Sequence, residues 1–426
     1  MEDAKRDAGR LLSGELDYIG YALARARLAQ EKRAEILKIT DVPYWELLRK
    51  AQRAGKKVVY MSGPAPVELL YAMDCVPLSF DLLVPRLAEN AALISPLMRE
   101  TELHVNADVC RFNKAEIGTL LTGSMGLVPD ACVTVPVPCD SACMAYMALA
   151  DRAGVPAFQF DVPKHPGERT MAYLAGQYEK FTAFLEQITG KALDYEKLRH
   201  RMELSNHAGE LLRQNEALHR GRPCPLSSHR NVLNELANAF GPTEAFCSML
   251  EAENTLGEGR LAAQESPCPG GERHRAVLLH NMLWQGVDYT DWLEETYATV
   301  AVADGYSYGE RAFFAHPEDE KDSRETACRR MLDGATVHGA GVSGQDMVDK
   351  ICNVILEREA DVVLFMGSSG CRQEWAAARM LDEAVSRRCG LSMLTVDMDN
   401  TDPNYRSERE IKEALSEYMD TVVAGH

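Results

Sequence analysis

The sequence predicts an α/β protein with two Rossmann- or flavodoxin-like parallel-sheet units, an N-terminal helical segment, and a helical insertion between the two units. Two observations predict this class. In two separate parts of the chain, short apolar runs of strand length alternate with helical stretches, and this alternation is typical of parallel sheets. The part between them has few runs of β-branched residues, which favours helices there.

Changes in composition divide the chain into four parts. The first is rich in Ala, Leu, Glu, Lys and Arg, has no glycine between Gly20 and Gly55, and predicts helices broken near Asp41-Val42-Pro43. The clearest linker is Ser266–Gly271, which contains two prolines and two glycines. The predicted parts are an N-terminal helical segment (1–54), a first α/β domain (55–165), a helical region (166–270) and a second α/β domain (271–426).

The first α/β unit starts with an apolar run, Lys57–Ser62, which we predict to be a buried strand because it ends in Gly63-Pro64. A helix is predicted from Pro66 to Met73, with proline near its first position and Glu68 in its first turn. The further predicted elements are strand Val76–Phe80, helix Leu87–Glu102, extended segment His104–Val109, helix Lys114–Leu121, strand Ala131–Pro136, helix Ser141–Ala150 and strand Ala157–Val162.

The rest of the chain shows the same signals. Between the two units, the predicted helices are Gln177–Gly190, Tyr195–His219, Asn231–Phe240 and Thr243–Gly257. In the second unit, the predicted strands are Ala276–His280, Tyr297–Val302, Asp361–Met366 and Leu391–Val396, and the predicted helices are Gly341–Arg358, Gln373–Arg388 and Ser407–Val423.

Composition and charge limit the functions to be considered. The chain has 426 residues, with 46 Lys and Arg against 64 Asp and Glu, a net charge of −18 at pH 7. This acidic balance argues against nucleic acid or an anionic membrane as a partner, because both attract basic surfaces. No apolar run is long enough to span a bilayer, and the charged N-terminus lacks the apolar stretch of a signal peptide. We therefore expect a cytoplasmic protein.

Cysteine is the unusual residue type, with 12 in the chain. In an intracellular protein most should be free thiols that pack as small apolar residues. Three have a shared context, because Cys110, Cys139 and Cys371 each follow a predicted strand and precede a predicted helix. Ligands of open α/β sheets bind at the carboxyl ends of strands. Two facing units would bring the three thiols together, where helix N-termini favour thiolates.

Three thiolates are compatible with two kinds of metal site. One is a zinc ion with an open coordination position, and the other is an iron–sulfur cluster held at three corners with one iron free. The chain has no CxxC pair, which disfavours a zinc ribbon. A radical-SAM pattern starting at Cys139 and Cys143 is excluded because Tyr146 stands where its third cysteine is required.

At these residues the sequence resembles a known family. Residues Ser62–Pro77 resemble the "PxELhyAxGxxP" opening of the 2-hydroxyacyl-CoA dehydratase D-component family, which also includes benzoyl-CoA reductase subunits. Cys110–Gly118, Pro138-Cys139-Asp140 and Gly370-Cys371-Arg372 resemble its three cysteine segments, and the resemblance covers about residues 45–420.

The sequence departs from this family pattern at two acidic residues. Asp74 stands where glycine is common, and Asp81 stands where the family often has glutamate just past the following strand.

The resemblance implies an enzyme with two related subunits, each holding a [4Fe-4S] cluster on three cysteines. A separate ATP-dependent iron–sulfur activator injects one electron, and water leaves an (R)-2-hydroxyacyl-CoA by syn elimination through a ketyl radical to give a 2-enoyl-CoA. The implied cluster ligands are Cys110, Cys139 and Cys371. The length of the chain resembles that of the substrate-binding subunit, which would pair with a related second subunit or with itself.

Three further residues are candidates for catalysis. Ser62 follows the first strand, where its hydroxyl could bond a group on the open iron, or serve as a loop or cap serine. Glu68 and Asp81 are candidates for proton transfer, with a helix first-turn carboxylate as the alternative for each.

Charged residues beside the cysteine segments have two interpretations. Arg111, Lys114 and Arg372 could offset the charge of a cluster, or they could be solvated surface charges. His104 and His280 stand at predicted strand ends, where a proton-transfer role competes with a hydrogen-bonded structural role.

Four functional hypotheses follow. The first is a dehydratase subunit. The second is a benzoyl-CoA reductase-type subunit or a homodimeric protein with a double-cubane cluster, for which a fourth iron-bound cysteine would be the sign. The third is a cluster-bearing electron-transfer or structural subunit without a substrate, and the fourth is a zinc protein.

Overall fold

The chain forms two four-stranded sheets, all parallel, surrounded by helices. This confirms the predicted α/β fold of two parallel-sheet units. The computed structural model describes residues 7, 9–13, 15–32, 42–106, 108–122, 128–136, 139–163, 165, 167–228, 242–280, 288–304, 312–333 and 344–423. Within these residues, no helix has the length and apolar character needed to cross a bilayer.

The N-terminal part and the first unit contain seven of the helices described here. The helices are α1 (Tyr18–Lys32), α2 (Val42–Arg53), α3 (Val67–Ala72), α4 (Phe80–Ala88), α5 (Ala91–Glu102), α6 (Arg111–Leu121) and α7 (Asp140–Ala153). The strands are β1 (Lys57–Ser62), β2 (Cys75–Leu78), β3 (Ala131–Thr134) and β4 (Ala157–Gln159).

The first sheet has the strand order β2-β1-β3-β4. Its central strands are buried, and edge-to-face contacts from Phe80 to Tyr60 and to Tyr146 join α4 and α7 to β1. Because the chain moves from β1 to β2 on one side and returns to β3 on the other, the loops after β1 and β3 diverge and leave a crevice. Ser62 ends β1 at this crevice.

Three long helices lie between the two units, as the sequence predicts. They are α8 (Glu168–Thr189), α9 (Tyr195–His219) and α10 (Glu244–Ala262). The side chain of Asp194 caps α9 by accepting hydrogen bonds from two backbone amides of its first turn, and this satisfies amides that a helix start leaves open. Helices α9 and α10 pack through a separate apolar cluster that includes Leu212 and Leu250.

The second unit repeats the strand order of the first. Its strands are β5 (His274–His280), β6 (Thr299–Asp304), β7 (Val362–Ser368) and β8 (Met393–Met398). Its helices are α11 (Asp288–Tyr297), α12 (Glu320–Asp333), α13 (Gly344–Glu357), α14 (Arg372–Ala384) and α15 (Glu408–Tyr418), with π-helical turns at Val385–Cys389 and Met419–Val423. The order β6-β5-β7-β8 places a second crevice between the ends of β5 and β7.

Strand β7 shows why this sheet is buried on both faces. Val362, Leu364 and Met366 pack into one apolar cluster, whereas Val363 and Phe365 pack into another. Successive side chains of a strand point to opposite faces, so a continuous apolar run needs helices on both sides. The run Asp361–Met366 predicted from the sequence therefore marks a central strand.

Two predicted elements of the first unit are wrong. The single helix Leu87–Glu102 is two helices, because Asn90 starts α5 by accepting the amide of Ala92 at 2.9 Å. The segment His104–Val109 is not a strand, since the amides of His104 and Val105 both bond back to the carbonyl of Thr101. Cys110 therefore follows a turn.

Other predictions fall on residues outside those described. The predicted helix Asn231–Phe240, the first residues of the predicted helix Gly341–Arg358, and most of the predicted break near Asp41 belong to this group. Helices α11 and α12 were not among the predicted elements.

Asp74, where the resembling family commonly has glycine, lies in the turn between α3 and β2. Its φ of 58° is in the left-handed region, which glycine adopts readily and which aspartate tolerates better than most residues. The carboxylate accepts hydrogen bonds from Lys191 (2.9 Å) and Lys197 (3.2 Å), which hold its pKa below the usual value. These contacts offset part of the backbone strain.

Substitutions at Asp74 test this account. Asp74→Gly should leave the free energy of unfolding within about 0.5 kcal/mol of the wild type, because relief of strain offsets the loss of exposed ion pairs. Asp74→Val should lower it by about 1–2 kcal/mol, because a β-branched residue is strained at this φ. Denaturant titration followed by circular dichroism measures both, and a valine variant as stable as the glycine variant would contradict the account.

Candidate functional site

Three cysteines have the same place relative to secondary structure. Cys110, Cys139 and Cys371 are the N-cap residues of α6, α7 and α14. First-turn backbone amides lower the pKa of each thiol, those of Asn113 and Phe112 in the case of Cys110. Each thiol therefore lies at the positive end of a helix.

The two units meet at the first and last of these cysteines. A Cβ atom on Gly370 would lie 3.0 Å from Cα of Cys110 and 3.4 Å from the backbone nitrogen of Arg111. A side chain at position 370 would push the loop before Cys371 and the start of α6 apart by a few tenths of an ångström. Cys110 and Cys371, which are far apart in sequence, are thereby neighbours in space.

Cys139 completes the group from the end of β3. Its charge raises the pKa of Cys110, and the charges of Cys110 and Cys139 both raise the pKa of Cys371. The three thiols are thus close enough to interact electrostatically. The expectation that facing units bring them together agrees with this geometry, although Cys110 comes from a turn rather than from a strand end.

Burial decides the charge state of these thiols in the absence of a nearby cation. Burial raises the pKa of Cys110 to about 12 and raises that of Cys371 further, more than the helix amides lower them. The helix amides do lower the pKa of each thiol, as expected, but burial raises the pKa by more. The expectation that the helix N-termini would favour thiolates here is therefore wrong for the net effect. A stable thiolate here needs additional positive charge.

The spacing of donor groups also bears on the kind of metal. In the described part of the chain, no three His, Cys, Asp or Glu side chains are close enough to hold one metal ion together. In an iron–sulfur cubane each thiolate binds a different iron, so the ligands of a cluster stand further apart than the ligands of a single ion.

Arg111 joins the two units beside the cysteines. Its guanidinium donates to the hydroxyl of Ser369 and to Oδ2 of Asp399 at 3.2 Å, and it lies 3.5 Å from Oδ2 of Asp402. It also covers the ring of Tyr405, 4.9 Å from the centroid. Of the two interpretations predicted from the sequence, the solvated surface charge is wrong for Arg111, which clamps α6 to the second unit.

Lys114 and Arg372 differ from each other in their surroundings. Lys114 is 1% exposed and pairs with Glu102 at 2.9 Å, so it is not a solvated surface charge either. Arg372, in the first turn of α14, is exposed.

Comparison with known proteins identifies the family of this chain. The model of the family described as "2-hydroxyglutaryl-CoA dehydratase, D-component" matches residues 64–421. The chain belongs to this dehydratase family. It is also similar to the lactoyl-CoA dehydratase subunit alpha of Anaerotignum propionicum, with 20% identity over 401 residues that cover 88% of this chain and 94% of the relative. The resemblance read from the cysteine segments is confirmed.

Ser62 and Asp81 of this dehydratase-family chain lie at the same edge of the first sheet. Ser62 is 5% exposed, and its hydroxyl accepts a 3.5 Å hydrogen bond from Thr134, which is 3.1 Å from Sγ of Cys143. Asp81 stands in the first turn of α4, just past β2, where Ser79 donates to its carboxylate at 3.2 Å. Burial raises the pKa of Asp81 to about 6, against the lowering effect of Ser79.

Glu68 is engaged elsewhere. Its carboxylate accepts hydrogen bonds from Arg330 and from Ser205, both at 2.6 Å. These contacts tie α3 of the first unit to α9 and to α12. We assign no proton-transfer step to Glu68, because its carboxylate is already engaged by these two side chains.

The two histidines have separate positions. His104 is exposed in the turn after α5, with its ring 3.9 Å from Glu100, so its predicted place at a strand end is wrong. His280 is the last residue of β5, as predicted, and its side chain lies outside the described residues.

Sequence reasoning missed Glu116 and Asp399. Glu116, on α6, is 2% exposed, and Asp399 has a fully buried carboxylate. A glutamate inside a helical pattern is usually a solvated charge, and no residue near Glu116 in the sequence indicates that it is buried. Asp399 follows β8 directly, so its position at a strand end could have been noticed.

The clamp can be tested by comparing the two arginines that follow a site cysteine. Arg111→Met should lower the free energy of unfolding by about 2 kcal/mol, because it removes the ion pair with the buried carboxylate of Asp399. Arg372→Met should change it by less than about 0.5 kcal/mol, since this side chain is exposed. Denaturant unfolding of both variants measures the difference, and equal stability would mean that Arg111 does not hold the units together.

Proposed function

We propose that the chain is a subunit of an iron–sulfur (R)-2-hydroxyacyl-CoA dehydratase. It would hold a [4Fe-4S] cluster through Cys110, Cys139 and Cys371, and the complex would eliminate water to give a 2-enoyl-CoA. The observation that carries this proposal is the meeting of three helix-capping cysteines where the two α/β units touch. The partners would be a related second subunit, or a second copy of this chain, and an ATP-dependent iron–sulfur activator.

The chemistry of the donors supports a cluster. Thiolates are the ligands that iron–sulfur clusters use, and the irons would provide the positive charge that these buried thiols need. Backbone amides at a helix start, where all three cysteines stand, are among the groups that tune such clusters. Three cysteines leave one iron of a cubane without a protein ligand.

The reaction explains why a cluster is needed. In a 2-hydroxyacyl-CoA, the hydroxyl is on the α-carbon and the hydrogen to be lost is on the β-carbon, where the thioester barely acidifies it. A general base alone is therefore insufficient. When bound, the cluster supplies one-electron chemistry and a Lewis-acidic iron.

This chain's own residues would then position groups and move protons. Ser62 and Asp81 follow β1 and β2 at the edge of the sheet where Cys139 follows β3. The hydroxyl of Ser62 would orient a polar group of the substrate. Asp81, with its pKa of about 6, would exchange protons near neutral pH.

The proposal extends to the acyl group of the substrate. The relative is named for lactoyl-CoA, so a short 2-hydroxyacyl thioester is the first substrate to test.

Metal analysis of anaerobically prepared protein tests the cluster. We expect about four irons and four sulfides per chain, and loss of most of both in Cys371→Ala. Cys389→Ala is the matched control, because this half-buried cysteine ends a π-helical turn away from the three N-caps. Iron-free protein, or equal loss of iron in both variants, would refute the ligand assignment.

Electron paramagnetic resonance tests whether the cluster meets a substrate. The spectrum of the reduced, cluster-loaded protein should change on addition of (R)-lactoyl-CoA or another (R)-2-hydroxyacyl-CoA, because binding near the open iron alters its surroundings. Free CoA is the control for binding of the nucleotide part alone. A cluster spectrum that no acyl-CoA changes would favour the electron-transfer role over the dehydratase.

A further inference from the structure

A row of three buried polar side chains crosses the carboxyl edge of the first sheet. Ser62 ends β1, Thr134 ends β3, and the two residues are partners in the parallel register of these strands. Paired residues of neighbouring strands point to the same face of a sheet. Cys143, near the start of α7, lies next to Thr134. All three side chains are at most 5% exposed, so their polar groups need partners in the protein or in a bound molecule.

The hydrogen bonds in this row have one direction. A hydroxyl group has a single hydrogen to donate. Thr134 donates its hydrogen to the hydroxyl of Ser62, with 3.5 Å between the two oxygens, and the threonine oxygen is 3.1 Å from Sγ of Cys143. Because the threonine hydrogen is already used, the thiol of Cys143 must be the donor in the second contact. Burial raises the pKa of Cys143, so this thiol keeps its hydrogen at neutral pH.

This direction leaves the hydrogen of Ser62 for a molecule in the crevice. Ser62 accepts from Thr134, and no oxygen in the described part of the chain accepts the hydrogen of Ser62 in turn. The serine stands at the carboxyl end of a central strand, where ligands of open α/β sheets bind. A buried donor without an acceptor is costly. An oxygen of a bound substrate would complete the row.

The thioester carbonyl is the substrate oxygen that such a donor fits best. This oxygen has no hydrogen of its own, whereas the α-hydroxyl of the substrate can both donate and accept. It is also the oxygen on which negative charge develops when the acyl group takes up one electron. A donor that is already held in place for this charge needs no reorientation during the reaction.

We propose that Thr134 and Cys143 are positioning residues, which hold the hydroxyl of Ser62 as a hydrogen-bond donor to the thioester carbonyl oxygen of the acyl-CoA. This inference rests on the proposed dehydratase function and deepens it. Without Thr134, the serine hydroxyl could rotate and accept a hydrogen bond instead of donating one. Thr134 and Cys143 act through Ser62 and do not contact the substrate. No electron or proton is transferred along the row.

Infrared spectroscopy of the cluster-loaded subunit tests the row without reference to activity. The difference spectrum between the wild type and Cys143→Ala isolates the S–H stretching band of Cys143, because the other thiols cancel. A thiol that donates a hydrogen bond has this band at lower wavenumber than a thiol that does not. The Cys143 band, isolated in the same way, should therefore move to higher wavenumber in Thr134→Val and stay in place in Thr134→Ser. A wild-type Cys143 band at the position of an unbonded thiol overturns the inference, even where a Thr134 variant fails to fold.

Steady-state kinetics of the purified dehydratase complex test the positioning role. Ser62→Ala should lower kcat by about 100-fold, as the loss of a donor to a developing oxyanion does. Thr134→Val should lower kcat by about 10-fold with little change of KM, since the donor remains but is no longer held in one orientation. Thr134→Ser, which keeps the hydroxyl, should recover most of the lost rate. Cys143→Ala should lower kcat by a smaller factor, because a thiol is a weak donor.

A double variant separates positioning from a general loss of packing. In the Ser62→Ala background, Thr134→Val should have no further effect on kcat, because the group that Thr134 holds is gone. The matched control is Thr299→Val, which changes a buried threonine at the start of β6 in the other sheet and should match the wild type. An active complex in which Thr134→Val keeps the wild-type kcat, or in which its effect multiplies with that of Ser62→Ala, overturns this inference alone. A cluster-loaded complex that dehydrates no 2-hydroxyacyl-CoA overturns the proposed function and this role with it, while the infrared band still reports on the row.

Discussion

The close approach of Gly370 to the backbone of Cys110 is the contact on which the site depends. Because a Cβ at position 370 would lie 3.0 Å from Cα of Cys110, the loop after β7 and the start of α6 touch through backbone atoms. Arg111 then fastens the contact through Ser369 and the buried Asp399. Cys371 belongs to the second unit, and Cys110 and Cys139 belong to the first. Without this contact, Cys371 would not lie beside the other two cysteines.

The repeated strand order explains where this contact can form. Both sheets have their second strand on one side of the first and their third strand on the other, so each has its crevice at the carboxyl ends of its two central strands. Cys139 follows the third strand of one sheet and Cys371 follows the third strand of the other. The candidate site therefore lies between two crevices, and neither unit alone supplies all three thiols.

Local patterns predicted most of the fold, because strand and helix periodicities are local properties of a sequence. They also predicted the positions of Cys139 and Cys371, which depend on where a strand ends. They failed for His104–Val109, where bonds to Thr101 turn the chain back. The resemblance supplied the family and the kind of cluster expected on the three cysteines.

Long-range pairing lay beyond such patterns. Glu68 meets Arg330, and Arg111 meets Asp399, and nothing near either residue in sequence signals its partner. Lys114 and Glu116 look like solvated charges on a helix, yet both are buried, because α6 packs against helices on more than one side. Burial of a charged residue depends on the whole packing, so a single sequence did not reveal it.

Electrostatics sets a common requirement for the buried acids around the crevice. The pKa values of Cys110, Cys139, Asp81 and Glu116 are all raised by burial, so the negative form of each is unfavourable unless something compensates it. For the thiols, helix amides compensate in part and cationic irons would complete the compensation. For the carboxyl groups, a retained proton does the same. Metal charge at the thiols and retained protons on the carboxyl groups would thus balance acidic groups in a chain that is already strongly negative.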